Sequence, residues 1–301
     1  MNSISGESER RWIFGCGYLG SRVAELWQRQ GHEVHVVTRS AAKAETMAAR
    51  GWCPHVADVK QRVTLPGNEH ADRILIALGF DRQGPESIHD VYVEGLKNAL
   101  QCFSQPPQSL IYISTTGVYG PTASDWVDEH SECIPSREGG QASLACEEFL
   151  RGHAFAPSVA ILRLAGIYGP GRVPNRAGLV AGEPIRGFST GYLNLIHVDD
   201  AARVVDEMLG FAGTHCLNVS DGSPVLRHDY YQYLAQLYDA PEPVFAMPEA
   251  GSPKSQRGAG SKRVSNQALV QLTGFRPTYN SYKAGLEAIV AESDREPENR
   301  V

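Results

Sequence analysis

The first third of the chain alternates short apolar runs with stretches whose apolar residues recur at helical spacing. Arg11–Phe14 is a β-type run that ends in glycines, and Leu19–Gln30 then repeats apolar residues at Leu19, Val23, Leu26 and Trp27. Glu33–Thr38 (EVHVVT) predicts a second strand, Ala41–Ala49 an alanine-rich helix, and Arg73–Leu78 (RILIAL) a buried strand, with another expected just ahead of Asp58. Ser109–Ser114 and Ser158–Leu164 add two strands around a helix over Ser143–Arg151, and Ile88–Leu100 reads as a further helix. Near-continuous apolar strands alternating with helices predict an α/β fold, a Rossmann-type doubly wound parallel sheet covered on both faces.

Past Gly166 the pattern weakens. Gly169-Pro170-Gly171, Pro174, Gly178, Gly182-Glu183-Pro184 and Gly187 break the periodicity, and two helical stretches follow at Arg227–Tyr238 and Tyr279–Glu292. The reading is a nucleotide-binding core over residues 11–165, with later segments returning to it, and a smaller C-terminal α/β substrate lobe mainly over 166–292. Residues 1–10 and 293–301 read as flexible tails, and the Gly/Ser/Pro-rich stretch 241–260 as a loop mobile over the cleft.

Composition narrows the function. With 301 residues, 42% hydrophobic and 21% charged, the chain is long enough for a substantial core. A formal net charge of −6 without a dense basic run argues against a nucleic-acid partner. No run approaches a membrane span and no signal peptide opens the chain, so no membrane partner and a cytoplasmic location are expected. The six cysteines are dispersed without a C-x-x-C pair, which predicts reduced, mostly buried thiols, no zinc site and no disulfide framework. No metal constellation is read elsewhere.

The chemistry starts at Gly15-Cys16-Gly17-Tyr18-Leu19-Gly20, a G-x-G-x-x-G loop between the first strand and the first helix. There Gly15 permits the tight turn, Gly17 lets a diphosphate approach the backbone, and Gly20 lets helix and strand pack closely. The helix N-terminus supplies N–H groups and a positive dipole end for the diphosphate. The second strand ends at Thr38-Arg39-Ser40, without the acid an NAD enzyme uses for the adenosine 2′-hydroxyl. Arg39 beside Ser40 suits a 2′-phosphate, which favours NADP with NAD as the alternative; a solvated surface arginine is the plainer explanation. Asp58 and Val59 fall where the adenine would lie, and Leu78-Gly79 ends the fourth strand beside the cofactor.

Three further stretches, Ile113-Ser114-Thr115-Thr116-Gly117-Val118-Tyr119-Gly120, Leu162-Arg163-Leu164-Ala165-Gly166-Ile167-Tyr168-Gly169-Pro170-Gly171 and Ile196-His197-Val198-Asp199-Asp200, join the glycine loop in order. Together they resemble the NAD-dependent epimerase/dehydratase family, the extended branch of the short-chain dehydrogenase/reductases, over about residues 11–292. The resemblance implies a Rossmann domain, a small substrate lobe, a small-molecule substrate in a cleft between them, and a homodimer paired through the helix at 88–100. By position Thr115 matches the family's catalytic Ser/Thr, although a strand-end threonine also serves structure.

The family's Tyr-x-x-x-Lys is missing. Matching Leu144-Ala145-Cys146-Glu147-Glu148 to the family's downstream stretch places Gly139 at the Tyr position and Ser143 at the Lys position. The tyrosine normally moves the substrate proton and the lysine lowers its pKa, and neither glycine nor serine does this. The chain therefore resembles atypical members. Tyr119, Tyr168 and His197 are the alternative proton donors, each with a packing role as the competing explanation. Arg172, Arg176 and Arg186 are candidate grips for a substrate diphosphate. Two functions stay open: an NADP-dependent oxidoreductase or epimerase/dehydratase-like enzyme on a carbonyl, alcohol or sugar-nucleotide, and a non-catalytic dinucleotide-binding regulator or scaffold.

Overall fold

In a computed structural model of the chain, which describes residues 7–81, 84–122, 125–246 and 261–295, seven strands form the central sheet. They are β1 (Arg10–Phe14), β2 (Glu33–Thr38), β3 (Cys53–Val56), β4 (Arg73–Ile76), β5 (Ser109–Thr115), β6 (Val159–Leu164) and β7 (His215–Val219). Their order is β7-β6-β5-β4-β1-β2-β3, and the pairs β1–β2, β1–β4, β2–β3 and β4–β5 are parallel. Parallel neighbours require crossovers, which α1 (Gly20–Arg29), α2 (Ala41–Ala49), α3 (Gly95–Leu100) and α4 (Glu138–Arg151) supply. Trp12, Ile13, Phe14, Ile74, Leu75 and Ile76 are fully buried, as strands covered on both faces require.

Further helices among the described residues are α5 (Val198–Met208), α6 (Arg227–Leu237), α7 (Gln267–Thr273) and α8 (Tyr282–Arg295), with a short helix at Arg176–Val180 before them. Two compact units emerge. The first takes the chain to Ser114, Gln141–Leu162 and Ala202–Cys216; the second takes Thr115–Gly140, Arg163–Ala201 and the chain from Leu217. Ala202–Cys216 thus groups with the N-terminal strands of the first unit. Thr115–Gly140, expected in the core, instead groups with the second unit. The turn after β5 leads into a short strand, Trp126–Val127, that pairs with Arg263–Val264 of the same unit.

The N-terminal tail is shorter than expected. β1 begins at Arg10, and the Glu9 carboxylate is held by Arg11 at 2.6 Å and Arg73 at 3.1 Å. At the other end α8 runs to Arg295. Residues 1–6 and 296–301 of the expected tails, and 247–260 of the expected mobile loop, lie outside the described residues. The 88–100 stretch is helical throughout, widening to a π-type turn at Asp90–Glu94. None of the six cysteines is in a disulfide, but Cys102 and Cys146 alone are buried; the other four are partly exposed, Cys16 in a loop and Cys53 on an edge strand. Among the described residues no helix is long and apolar enough to cross a membrane.

Candidate functional site

The glycine loop joins β1 to α1 in the first unit, and its three glycines have three different surroundings. Gly15 has φ +98°, and a Cβ there would sit 2.1 Å from the Ala77 carbonyl oxygen at the end of β4. A side chain is excluded twice over, by conformation and by space. A Cβ on Gly20 would lie 2.4 Å from the Gly15 carbonyl oxygen, so the helix starts close against the turn. Gly17 is exposed and a Cβ there would meet nothing within 4 Å. The open space therefore lies over the middle glycine, beside the N-terminus of α1, where Leu19 provides no side-chain cap. Arg22 pins the loop by donating to the Tyr18 carbonyl at 2.8 Å and lying over its ring. Burial pushes the Cys16 thiol up to about 12, so it contributes as packing rather than as a nucleophile.

At the end of β2, Ser40 caps α2 by accepting the Lys43 N–H, and Arg39 is exposed. Carboxylates reach this place from elsewhere in the chain. Glu86 accepts from Lys60 at 2.7 Å and lies 3.9 Å from Arg39. Asp58 accepts the Lys60 backbone N–H at 3.0 Å and sits 3.6 Å from its ammonium. The Asp58 carboxylate is thus engaged in its own turn and with Lys60, which weakens its expected role toward an adenine amino group. Val59 and Leu78 both pack against the Gly95 end of α3, within 3.0 and 3.2 Å of where a Cβ would project. Gly79 is exposed at the end of the β4 segment.

In the second unit, Thr115 ends β5 and caps a 3₁₀ turn over Thr116–Tyr119, its hydroxyl accepting the Gly117 N–H at 3.0 Å. A threonine hydroxyl retains its own proton while accepting this bond, so it remains able to donate. The turn closes at Gly120, φ +68°, whose missing Cβ would overlap the Ile134 carbonyl oxygen at 1.9 Å. The Arg137 guanidinium lies against Gly117, and the Lys262 ammonium donates to the Gly120 carbonyl at 2.9 Å. Burial, with Arg137 adding like charge, pushes Lys262 down to about 8.

The family model for the NAD-dependent epimerase/dehydratase family matches residues 13–219. The chain belongs to that family. Protein YeeZ of Escherichia coli K12 is 26% identical over 242 residues, covering 77% of this chain and 85% of that one. A solved conserved protein of unknown function from Silicibacter pomeroyi is 27% identical, with a TM-score of 0.76 over 95% of this chain and 99% of its own. The enzyme WbmG of Bordetella bronchiseptica, solved with NAD and UDP, shares the fold at 20% identity, with a TM-score of 0.79 over 98% and 97% of the two chains.

Within this epimerase/dehydratase-family chain, the helix α4 that carries Gly139 and Ser143 is committed to packing. Ser143 is buried and hydrogen-bonded to the Tyr112 phenol of β5. One turn on, the fully buried Glu147 accepts from Ser114 at 2.6 Å and from Arg151 at 3.0 Å. Gly139 and Ser143 lie on the helix as expected, but that face carries sheet contacts.

The alternative proton donors are equally committed. The Tyr119 hydroxyl donates to Asn218 at 2.8 Å and accepts from Arg163 at 2.9 Å, and burial raises its pKa far above the usual phenol value. Tyr168 is fully buried, its hydroxyl packed where Gly285 of α8 leaves no Cβ, and burial raises it likewise, with Asp221 adding to the shift. His197 is 1% exposed, wedged between the rings of Tyr168 and Tyr279, and its Nδ1 accepts the Asp199 N–H at 3.3 Å. These three residues hold the second unit together. Of the arginines read as diphosphate grips, Arg172, Arg176 and Arg186 are exposed, and Arg176 stacks over Tyr238 at 5.1 Å. Lys262 and Glu86 were missed because each reaches its place by a fold contact far along the chain, with no local motif to mark it.

Proposed function

We propose that this protein binds a nicotinamide dinucleotide at Gly15–Gly20 and acts as an oxidoreductase or epimerase/dehydratase-like enzyme on a small carbonyl, alcohol or nucleotide-sugar. The observation that carries this reading is the open space over Gly17 between two glycines that tolerate no side chain. It fits a diphosphate approaching the backbone at a helix N-terminus. A bound nicotinamide would supply hydride chemistry. The chain's own residues would supply orientation and the proton. NADP is favoured by Arg39, which follows β2, and Lys60, which follows β3, with Glu86 tempering both.

Thr115 is proposed to hold the reacting oxygen through its hydroxyl proton. Lys262 is proposed as the proton donor in place of the missing tyrosine, because its lowered pKa keeps it mostly protonated at pH 7 yet able to release a proton. A test is NADPH consumption across ketones, aldehydes and UDP-sugars, measured against pH. Turnover should depend on a group of pKa about 8. Lys262→Met should lower it by about 10²- to 10⁴-fold without changing NADPH affinity. A wild-type profile retained in Lys262→Met would refute the assignment. Ser143 and Glu147, bound up in sheet packing, favour a second reading, a dinucleotide-binding regulator. NADPH binding with no turnover of any substrate in the panel would support it.

A further inference from the structure

A second cluster of chemically active side chains lies at the opposite end of the same sheet, at the starts of β2 and β3. In a parallel pair, the register His35↔Cys53 and Val37↔His55 places His35, Cys53 and His55 on one face. Glu33, two residues before His35, shares that face. The ligand atoms of Glu33, His35 and Cys53 all lie within 4.8 Å of one another. Glu33 Oε1 is 3.1 Å from His35 Nε2, while Arg10 holds the other carboxylate oxygen at 3.2 Å.

His35 is the decisive residue. It is 8% exposed, and its buried Nε2 faces the Glu33 carboxylate at 3.1 Å without the alignment of a good hydrogen bond. A buried nitrogen so poorly aligned with its partner is left short of a full hydrogen bond, and a ring nitrogen beside a carboxylate and a thiol is a ligand set for a borderline-soft cation. The other ring nitrogen, Nδ1, lies 3.0 Å from His55 Nε2. If Nδ1 carries the proton and donates to His55, the lone pair of Nε2 faces Glu33 and Cys53, the arrangement in which a neighbour fixes the tautomer of a metal-bound histidine. Trp12 lies flat against both imidazoles, with ring centroids at 4.6 and 4.5 Å, and holds them in place.

We infer that Glu33, His35 and Cys53 form a divalent transition-metal site, best suited to Zn²⁺, with His55 as its positioning residue. Binding would ionise the Cys53 thiol and release its proton to solvent. One thiolate, one carboxylate and a neutral imidazole then balance the 2+ charge, and water completes the coordination. Tetrahedral Zn²⁺ with bonds of about 2.0 to 2.3 Å needs ligand atoms about 3.3 to 3.6 Å apart. Glu33 is exposed and Cys53 lies on the edge strand, so modest side-chain rotation closes the site. The ion would clamp β3, which ends the sheet, onto β2, at the end of the strands away from the glycine loop. Dispersed cysteines gave no sign of this, because the ligands are assembled across two strands.

The test uses the full chain, stripped of metal by chelator and titrated with Co²⁺ as a spectroscopic stand-in and then with Zn²⁺. One equivalent of Co²⁺ should give a sulfur-to-cobalt charge-transfer band, displaced by Zn²⁺. Cys53→Ser should lose that band and Cys133→Ser should keep it. Glu33→Gln, an exposed change, provides a second variant if Cys53→Ser does not fold as judged by circular dichroism, and it should weaken binding with the sulfur band retained. His55→Phe should weaken binding by about 10- to 100-fold and His55→Gln should recover part of it. Absence of the band in wild type, its persistence in Cys53→Ser, or an affinity indifferent to Glu33→Gln would overturn the site. Equal affinities in wild type and His55→Phe would overturn the role of His55.

Discussion

Asp221 allows a direct test of how burial sets stability in the second unit. It follows β7 and is 7% exposed, with Oδ1 accepting the Ser223 N–H at 2.9 Å and Oδ2 buried without a partner. Asp200, nearby, accepts the Thr278 and Tyr279 N–H groups at 2.9 and 3.0 Å. Burial first, and Asp200 after it, push the Asp221 carboxyl from 3.8 up to about 7. A raised acid holds its proton more tightly folded than unfolded. No pH-dependent contribution arises below about 4, stability falls as pH climbs toward 7, and the full cost is present above that. At about 1.4 kcal/mol per pKa unit, a rise of about three units corresponds to about 4 kcal/mol, an order-of-magnitude figure.

Asp221→Asn keeps an oxygen for the Ser223 N–H and removes the charge. The variant should gain little at pH 4 and progressively more from pH 5 to 8, read as the difference in urea midpoint between variant and wild type at each pH. Taking that difference cancels the titration of other groups that both chains share. A pH-independent difference would refute the reasoning, and so would a loss that grows with pH.

Gly17→Ala should leave the melting temperature unchanged, since the new Cβ meets nothing within 4 Å, yet weaken NADPH by about tenfold or more in calorimetry. An unchanged affinity would place the diphosphate elsewhere. Glu86→Gln should release Arg39 and Lys60 from their carboxylate partner and tighten NADPH several-fold more than NADH. Equal changes for the two cofactors would show that these cations do not meet a 2′-phosphate.

How far the sequence could be read depended on the range of the contacts involved. Glu33–Thr38 and Ala41–Ala49 were predicted to the residue, because a β-branched run and an alanine-rich stretch with Ser40 at its cap are local signals. The glycine loop was equally local. The short strand His215–Val219 carries no strong pattern and is stabilised by its place at the sheet edge, so periodicity missed it. The same limit governs the site. That α4 carries no Tyr-x-x-x-Lys is plain from Gly139 and Ser143, but how Tyr119, Tyr168 and His197 are engaged is not. Each occupies a motif position beside the expected chemistry, and only their partners, Arg163 and Asn218 for Tyr119 and the packed rings for the other two, reveal them as interior structure.

The α4 face that carries Ser143 and Glu147 is occupied by packing against β5. A lysine in place of Ser143 would bring a longer, charged chain onto the buried surface where a serine hydroxyl now meets Tyr112, and taking an ammonium out of water costs several kcal/mol even beside Glu147. Combining Gly139→Tyr with Ser143→Lys to restore the pair therefore conflicts with the packing around Tyr112, Ser114 and Glu147. The helix packs on β5, and that strand ends at Thr115, whose hydroxyl accepts the Gly117 N–H and is proposed to hold the substrate oxygen. The proposed proton donor, Lys262, lies outside that helix face, its ammonium donating to the Gly120 carbonyl at the end of the turn that Thr115 caps.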